Sequence, residues 1–318
     1  MRFLEQQSFN NERAIVRVDF NVPLNNEFQV TDNPRIQAAK PTIEYILSNG
    51  GSCILLSHLG RPEGRDPKLS LKHIVKEVSN ILGVPVQFCS QTVGSEAESK
   101  ASAQKPGQVL LMENLRYAKE ETRGDETFAE KLSRLGTVYV NDAFGTAHRA
   151  HASTTIIAKF FPKNKYFGIL LAKEVKAIDK VMKNGESPIV AILGGAKVSS
   201  KITIIESLLE KVDHLIIGGG MVYTFIKALG GSVGNSICES NYCDYALELL
   251  EKANAKDLKV HLPVDVIAGD YFGNDANKKV FEANNILDGW EGLDAGPKSC
   301  KKFRELILNC CESFKKER

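Results

Sequence analysis

Five basic side chains in the first half of the chain, Arg35, His58, Arg61, Arg116 and Arg149, are of the types that bind anions. Arginine forks engage phosphate or carboxylate through two parallel N–H donors, which a lysine cannot do. All but Arg35 lie just past an apolar run of strand character, at residues 14–18, 53–56, 109–112 and 138–140. The residues that follow those runs are Asp19-Phe20-Asn21, Ser57-His58-Leu59-Gly60-Arg61, Glu113-Asn114-Leu115-Arg116, and 141–149. Parallel α/β sheets bind ligands at the carboxyl ends of their strands, so four strand exits bring these groups to one sheet edge. A single arginine after a strand is ordinarily a solvated surface charge. Several, joined by Asp19 and Asn21 as acceptors for hydroxyl groups, suit a small phosphorylated hydroxy acid.

The second half carries a different device. Gly194-Gly195-Ala196-Lys197 follows the apolar run 189–193, and Gly218-Gly219-Gly220 follows 215–217. Glycines there let backbone N–H groups approach a phosphate or a flat ring, and a helix start favours negative charge. Lys197 and Lys201, four apart at an expected helix start, would share one face. Neither a Walker A motif nor a dinucleotide fingerprint occurs, and tight strand-to-helix turns explain the glycines equally well. His148 and His151 lack a third ligand at convincing spacing, so no metal site is expected; a histidine placed beside a phosphate, or a hydrogen-bonded hinge residue, fits better. Asp142 is read as orienting the neighbouring basic groups.

These residues need a scaffold, and its periodicity is visible. Strand runs alternate with helical stretches at 41–47, 71–82 and 125–135, each closing at glycine. Arg35 is expected in a loop after Asp32-Asn33-Pro34. A charged helical segment at 171–182 follows, and then a second series: strand 189–193, helix 199–212, strand 215–217, helices 221–229 and 242–255, and strand 259–264. At 318 residues two domains are expected. The fold class is α/β, with two doubly wound parallel-sheet (Rossmann-like) domains, the second incomplete. The boundaries are 1–160 for the first domain, 161–183 for a connecting helix or hinge, 184–309 for the second, and 310–318 for an atypical tail.

With 43% apolar and 25% charged residues a packed core is feasible, and a net charge of +2 gives no support for nucleic acid or membrane as partner. The N-terminus lacks the apolar region of a signal peptide, and no apolar stretch is long enough to span a bilayer. Seven cysteines without C-x-x-C spacing, Cys310-Cys311 included, read as thiols in a reducing cytoplasm.

Longer strings then carry a family resemblance. Val16-Arg17-Val18-Asp19-Phe20-Asn21-Val22-Pro23, Ser57-His58-Leu59-Gly60-Arg61-Pro62, Glu113-Asn114-Leu115-Arg116, NDAFGTAHRAHAS at 141–153, AILGGAKVS at 191–199, IGGGM at 217–221 and GLDAGP at 292–297 are similar to phosphoglycerate kinases. The resemblance implies reversible phosphoryl transfer between 1,3-bisphosphoglycerate and ADP, giving 3-phosphoglycerate and ATP, a step of glycolysis in the cytoplasm. It implies that the first domain binds 3-phosphoglycerate through Asp19, Phe20, Asn21, Arg35, His58, Leu59, Gly60, Arg61, Arg116 and Arg149. The second would bind ATP or ADP, with Mg2+ carried by the nucleotide, through Gly195, Lys197, Lys201, Gly218, Gly219, Gly220 and Gly292. Arg35 and Lys197 would be the catalytic charges that meet the transferring group as the domains close, in a monomer whose partners are these small molecules.

The family continues past residue 309 with further strands and a glycine-rich phosphate loop, so a C-terminally truncated member is expected. The alternative is a catalytically impaired relative that only binds phosphoglycerate. A dinucleotide-dependent dehydrogenase, which the winding alone would allow, is disfavoured because no fingerprint follows the first strand.

Overall fold

The apolar runs of the first half become neighbouring parallel strands because each is buried on both faces, which leaves no polar alternation. The computed structural model describes residues 3–5, 7–185 and 187–316 and divides into two units, Met1–Ile178 and Asp179–Arg318. In the first unit, β1 (Arg13–Arg17), β2 (Ser52–Leu56), β3 (Val86–Cys89), β4 (Val109–Met112), β5 (Val138–Asn141) and β6 (Lys165–Phe167) form one sheet. Its order is β3-β4-β2-β1-β5-β6, and every pairing is parallel. Val16, Leu55, Leu111 and Val140 face one side, against α1 (Pro34–Ser48) and α2 (Val75–Leu82). Ile15, Ile54, Leu110 and Tyr139 face the other, against α3 (Ser95–Ser102) and, beyond the short α4 (Lys119–Arg123), α5 (Glu126–Ser133).

This strand order fixes where a ligand can sit. The chain leaves β1 toward β2 but leaves β5 toward β6, in the opposite direction, so β1 and β5 flank the topological switch point. In open sheets of this kind ligands bind at such a point, outside the carboxyl ends of the strands. The loop after β5 comes close to the loop after β1: a Cβ added to Gly145 would lie 2.9 Å from Asp19 Oδ2.

Two local expectations are corrected. Helix α1 starts at Pro34, so Arg35 stands in its first turn and not in a loop. Proline suits that position, where its missing N–H would have had no partner, and Ile36, Ala39, Ile43 and Ile46 supply the buried stripe from the first turn onward. Strands β3 and β6 went unread because they are short and carry exposed or half-exposed residues such as Gln87 and Lys165.

Helix α6 (Ile169–Asn184) contains the division between the units. In the second unit β7 (Val190–Gly194), β8 (His214–Gly218) and β10 (Lys259–His261) form a parallel sheet ordered β10-β8-β7. Their helices are α7 (Ile202–Leu208), α8 (Val222–Ala228) and α9 (Cys243–Ala255), and β9 (Ser232–Val233) pairs with β13 (Asn285–Ile286). A separate antiparallel sheet, β12 (Lys278–Glu282), β11 (Asp265–Gly269) and β14 (Glu291–Ala295), adds to the doubly wound pattern. Lys278, Lys279 and Glu282 are exposed there, so no apolar run advertised it. Helix α10 (Pro297–Lys316) continues across Cys310; of the tail read at 310–318, Glu317 and Arg318 lie outside the described residues.

Candidate functional site

The strand exits of the first unit are laced together by buried polar side chains. Asn114 is fully buried and bridges the ends of β2 and β4. Its Oδ1 accepts from the N–H of Leu59 (3.2 Å) and of Arg116 (3.1 Å), while Nδ2 donates to the carbonyls of Leu59 (2.7 Å) and Leu69 (2.8 Å). Ser57 Oγ accepts from Phe20 N (2.8 Å), and Asn21 Oδ1 accepts from Gly60 N (2.8 Å), which ties the exits of β1 and β2. Phe20 and Leu59 send their side chains into the core, so only their backbones stand at the edge.

On this frame three of the arginines read from the sequence come together. Arg61, Arg116 and Arg149 line one cleft of about 530 Å³, with Lys119, His151 and Glu63 beside them. Arg116 donates from Nη1 to the Gly60 carbonyl at 2.7 Å. Burial lowers its pKa, and the nearby charges of Arg149, Arg17 and Arg61 lower it further, with Glu121 opposing. A guanidinium so disfavoured gains from any anion that enters.

Asp19, Arg35 and His58 form a second group. Arg35 Nη1 donates to Asp19 Oδ2 at 2.7 Å, and His58 Nδ1 lies 3.8 Å from Asp19 Oδ1. Arg17 Nη2 lies 3.3 Å from the same Nδ1. A guanidinium only donates, so Nδ1 accepts and the ring proton sits on Nε2. Burial, reinforced by Arg17, Arg116 and Arg35, pushes the His58 pKa down to about 2, and the ring is neutral.

The unfolded chain protonates His58 near its ordinary pKa of 6.5 while the folded chain does not. Its contribution to stability is therefore complete above that pH and is lost as pH falls from there toward about 2. We expect His58→Gln to flatten the acid limb of a denaturation-versus-pH curve by up to about 1.4 kcal/mol per pH unit. An unchanged limb would show that His58 is not buried neutral.

Two residues do something other than the sequence suggested. Asp142 caps α6: its Oδ1 accepts from Leu171 N at 3.1 Å, and Gly168 leaves no room for a side chain against it. It does not orient the basic groups. Burial pushes its carboxyl up to about 6, against the pull of Thr42 and the N–H groups of Leu171 and Leu170. Arg17, which was not singled out, is 1% exposed at the end of β1. Its Nε donates to Ser153 Oγ (2.8 Å), Nη1 donates to the Val18 carbonyl, and Ser153 Oγ donates to Glu121 Oε1 (2.6 Å). The available signal was a charge alternating onto a buried strand face, where it must find a partner.

The glycines of the second unit also meet. Gly219 has φ +68°, and an added Cβ would lie 2.9 Å from the backbone N and O of Gly195. Met221 N donates to the Gly195 carbonyl at 2.8 Å, so the turns after β7 and β8 lie side by side. Around a Cβ at Gly218 there is open space, whereas one at Gly220 would strike Ile237 at 2.6 Å. The Tyr223 ring covers Gly292, whose N–H donates to Ser236 Oγ at 2.8 Å.

The lysines are arranged differently from the expectation. Helix α7 begins at Ile202 and not at Ser199, because Glu239 holds Ser199 through its N–H (3.0 Å) and Oγ (2.6 Å). Lys201 is the cap of α7, beside Gly195, and Lys197 is exposed ahead of the helix, so the two do not share a helical face.

Comparison with known proteins gives a consistent result. A family model described as phosphoglycerate kinase matches residues 4–314. The chain is 47% identical over 329 residues to a phosphoglycerate kinase of Porphyromonas gingivalis, covering 96% of this chain and 79% of that protein. It is 50% identical over 300 residues to a cytosolic phosphoglycerate kinase of Nicotiana tabacum, covering 94% and 75%. The structure resembles the phosphoglycerate kinase of Coxiella burnetii with a TM-score of 0.75 at 36% identity, covering 96% of this chain and 77% of that one. Against the Pyrococcus horikoshii phosphoglycerate kinase the TM-score is 0.82 at 27% identity, covering 97% and 78%.

Proposed function

This chain belongs to the phosphoglycerate kinase family, and on that premise we propose that its first unit holds 3-phosphoglycerate and its second the adenine nucleotide. It is a phosphotransferase that interconverts 1,3-bisphosphoglycerate and ADP with 3-phosphoglycerate and ATP. One observation supports the placement of the acid best: Arg61, Arg116 and Arg149, delivered by three different strand exits, line one cleft. A triose acid with a phosphate at one end and a carboxylate at the other needs that many donors.

Phosphoryl transfer asks little covalent chemistry of a protein; it asks for placement and for positive charge around the equatorial oxygens. Arg61, Arg116 and Arg149 hold the acid's anionic groups, while Asn21 and Asp19, the latter near His58, serve its hydroxyl. Arg35, whose half-exposed side chain pairs with Asp19, and Lys197 act on the transferring group. The turns at Gly195 and Gly218-Gly219-Gly220, with Lys201 and Gly292, receive the nucleotide, which arrives as its Mg2+ complex. We further propose a cytoplasmic monomer whose partners are these small molecules. Among the described residues no helix is long and apolar enough to cross a membrane.

A coupled assay tests the reading. ATP consumption that requires 3-phosphoglycerate is expected; acid binding without turnover would instead favour a protein that only holds phosphoglycerate.

A further inference from the structure

Glu121 lies in α4, off the sheet, and is 1% exposed. A carboxylate so buried must find hydrogen-bond donors, and both of its oxygens find them on one residue. Oε2 accepts from Ser153 N at 3.0 Å and Oε1 from Ser153 Oγ at 2.6 Å. The Glu121 carbonyl also accepts from Ala152 N at 2.9 Å. Three bonds therefore suspend Ala152 and Ser153, next to His151, from a single side chain and its backbone. At the end of α4, Gly124 with φ +67° lets the Ala150 carbonyl approach where a Cβ would stand.

The suspended turn reaches the acid cleft. His151 belongs to it and lines that cleft, with Nδ1 4.0 Å from Glu121 Oε1. The Arg149 carbonyl accepts from His151 N (2.8 Å) and from Thr154 Oγ1 (2.7 Å), which braces the backbone that presents the arginine. On its other side Ser153 Oγ accepts from Arg17 Nε, so one hydroxyl bridges two buried opposite charges.

We propose that Glu121 is a positioning residue for the acid site: it touches no substrate, and its carboxylate sets the turn that places Arg149 and His151. The inference rests on the assignment of 3-phosphoglycerate to this cleft.

The sign of one measurement separates this role from simpler ones. Removing a negative charge beside an anion site strengthens binding if Glu121 acts on the anion through its charge alone, by Coulomb repulsion. It leaves affinity per folded molecule unchanged if Glu121 only stabilises the fold. It weakens binding if Glu121 positions the donors, since a small misplacement of a contact costs affinity steeply.

The experiment titrates 3-phosphoglycerate, and separately MgADP, calorimetrically into wild type, Glu121→Gln and Ser153→Ala, with each folded fraction checked by circular dichroism. We expect Glu121→Gln to weaken acid binding about tenfold, and Ser153→Ala about threefold, with MgADP affinity unchanged. In steady state KM for the acid rises while kcat holds. Ser153→Ala keeps the Glu121 charge and the backbone bond, and it carries the test if Glu121→Gln does not fold. Acid binding as tight as wild type, or tighter, in the folded variant overturns the proposal. A wild type that fails to bind the acid overturns the functional assignment instead.

Discussion

Arg35→Ala lowers kcat by about 10²–10³-fold and changes 3-phosphoglycerate affinity only a few-fold, because a charge that meets the transferring group acts mainly in the transition state. The local structure makes the experiment clean. The Arg35 side chain is 52% exposed, and its pair with Asp19, itself 15% exposed, leaves the guanidinium largely in solvent, where such a contact contributes little to stability. Its loss therefore leaves the fold of α1 intact. Arg149→Ala serves as the contrast: its guanidinium lines the cleft proposed for the acid, so KM rises and kcat falls much less. Steady-state kinetics on both variants decide the matter. Proportionate losses in kcat and KM for both would erase the division of labour between the two arginines.

Arg17→Met destabilises the first unit by about 3–5 kcal/mol, the order of cost of leaving a buried charge uncompensated, here a carboxylate that Arg17 reaches through the Ser153 hydroxyl. Arg17 and Glu121 are each 1% exposed, and Ser153 Oγ joins them. Methionine fills much of the stem volume but leaves the Glu121 carboxylate buried without its balancing charge. The pairing has a diagnostic. Arg17→Met/Glu121→Gln loses less than the sum of the single variants, because the second change removes the charge that the first left stranded. Urea denaturation of the four proteins measures this coupling. Additive losses would mean that the two charges do not sense each other across Ser153.

The first unit was largely legible because its physics is simple. β1, β2, β4 and β5 are buried on both faces, so each appears as an uninterrupted apolar run, and the basic residues just past those runs must lie at one sheet edge. His58, Arg61, Arg116 and Arg149 stand just past those strands for that reason. Phe20 and Leu59 share the same stretches, but their side chains belong to the core, a distinction that adjacency cannot make.

What was missed depends on distant partners or on local capping. Arg17 and Ser153 are separated by 136 positions, and no periodicity links a strand-end charge to a hydroxyl so far along the chain. The start of α1 turned on Pro34, a residue that opens helices as readily as it ends them. The late start of α7 turned on Glu239, which holds Ser199 from a distant loop. β12 and β14 carry charged and exposed or half-exposed residues, so two of the three strands of the antiparallel sheet had no apolar signature.

The central claim is that a cluster of guanidinium groups at the carboxyl edge of the first sheet grips a triose acid. A crystal structure of the protein soaked with 3-phosphoglycerate tests it most directly. The expected result is the acid in the cleft lined by Arg61, Arg116 and Arg149, with its phosphate or carboxylate oxygens within hydrogen-bond distance of at least two of them. Density for the acid elsewhere, with that cleft holding only solvent at saturating ligand, would contradict it.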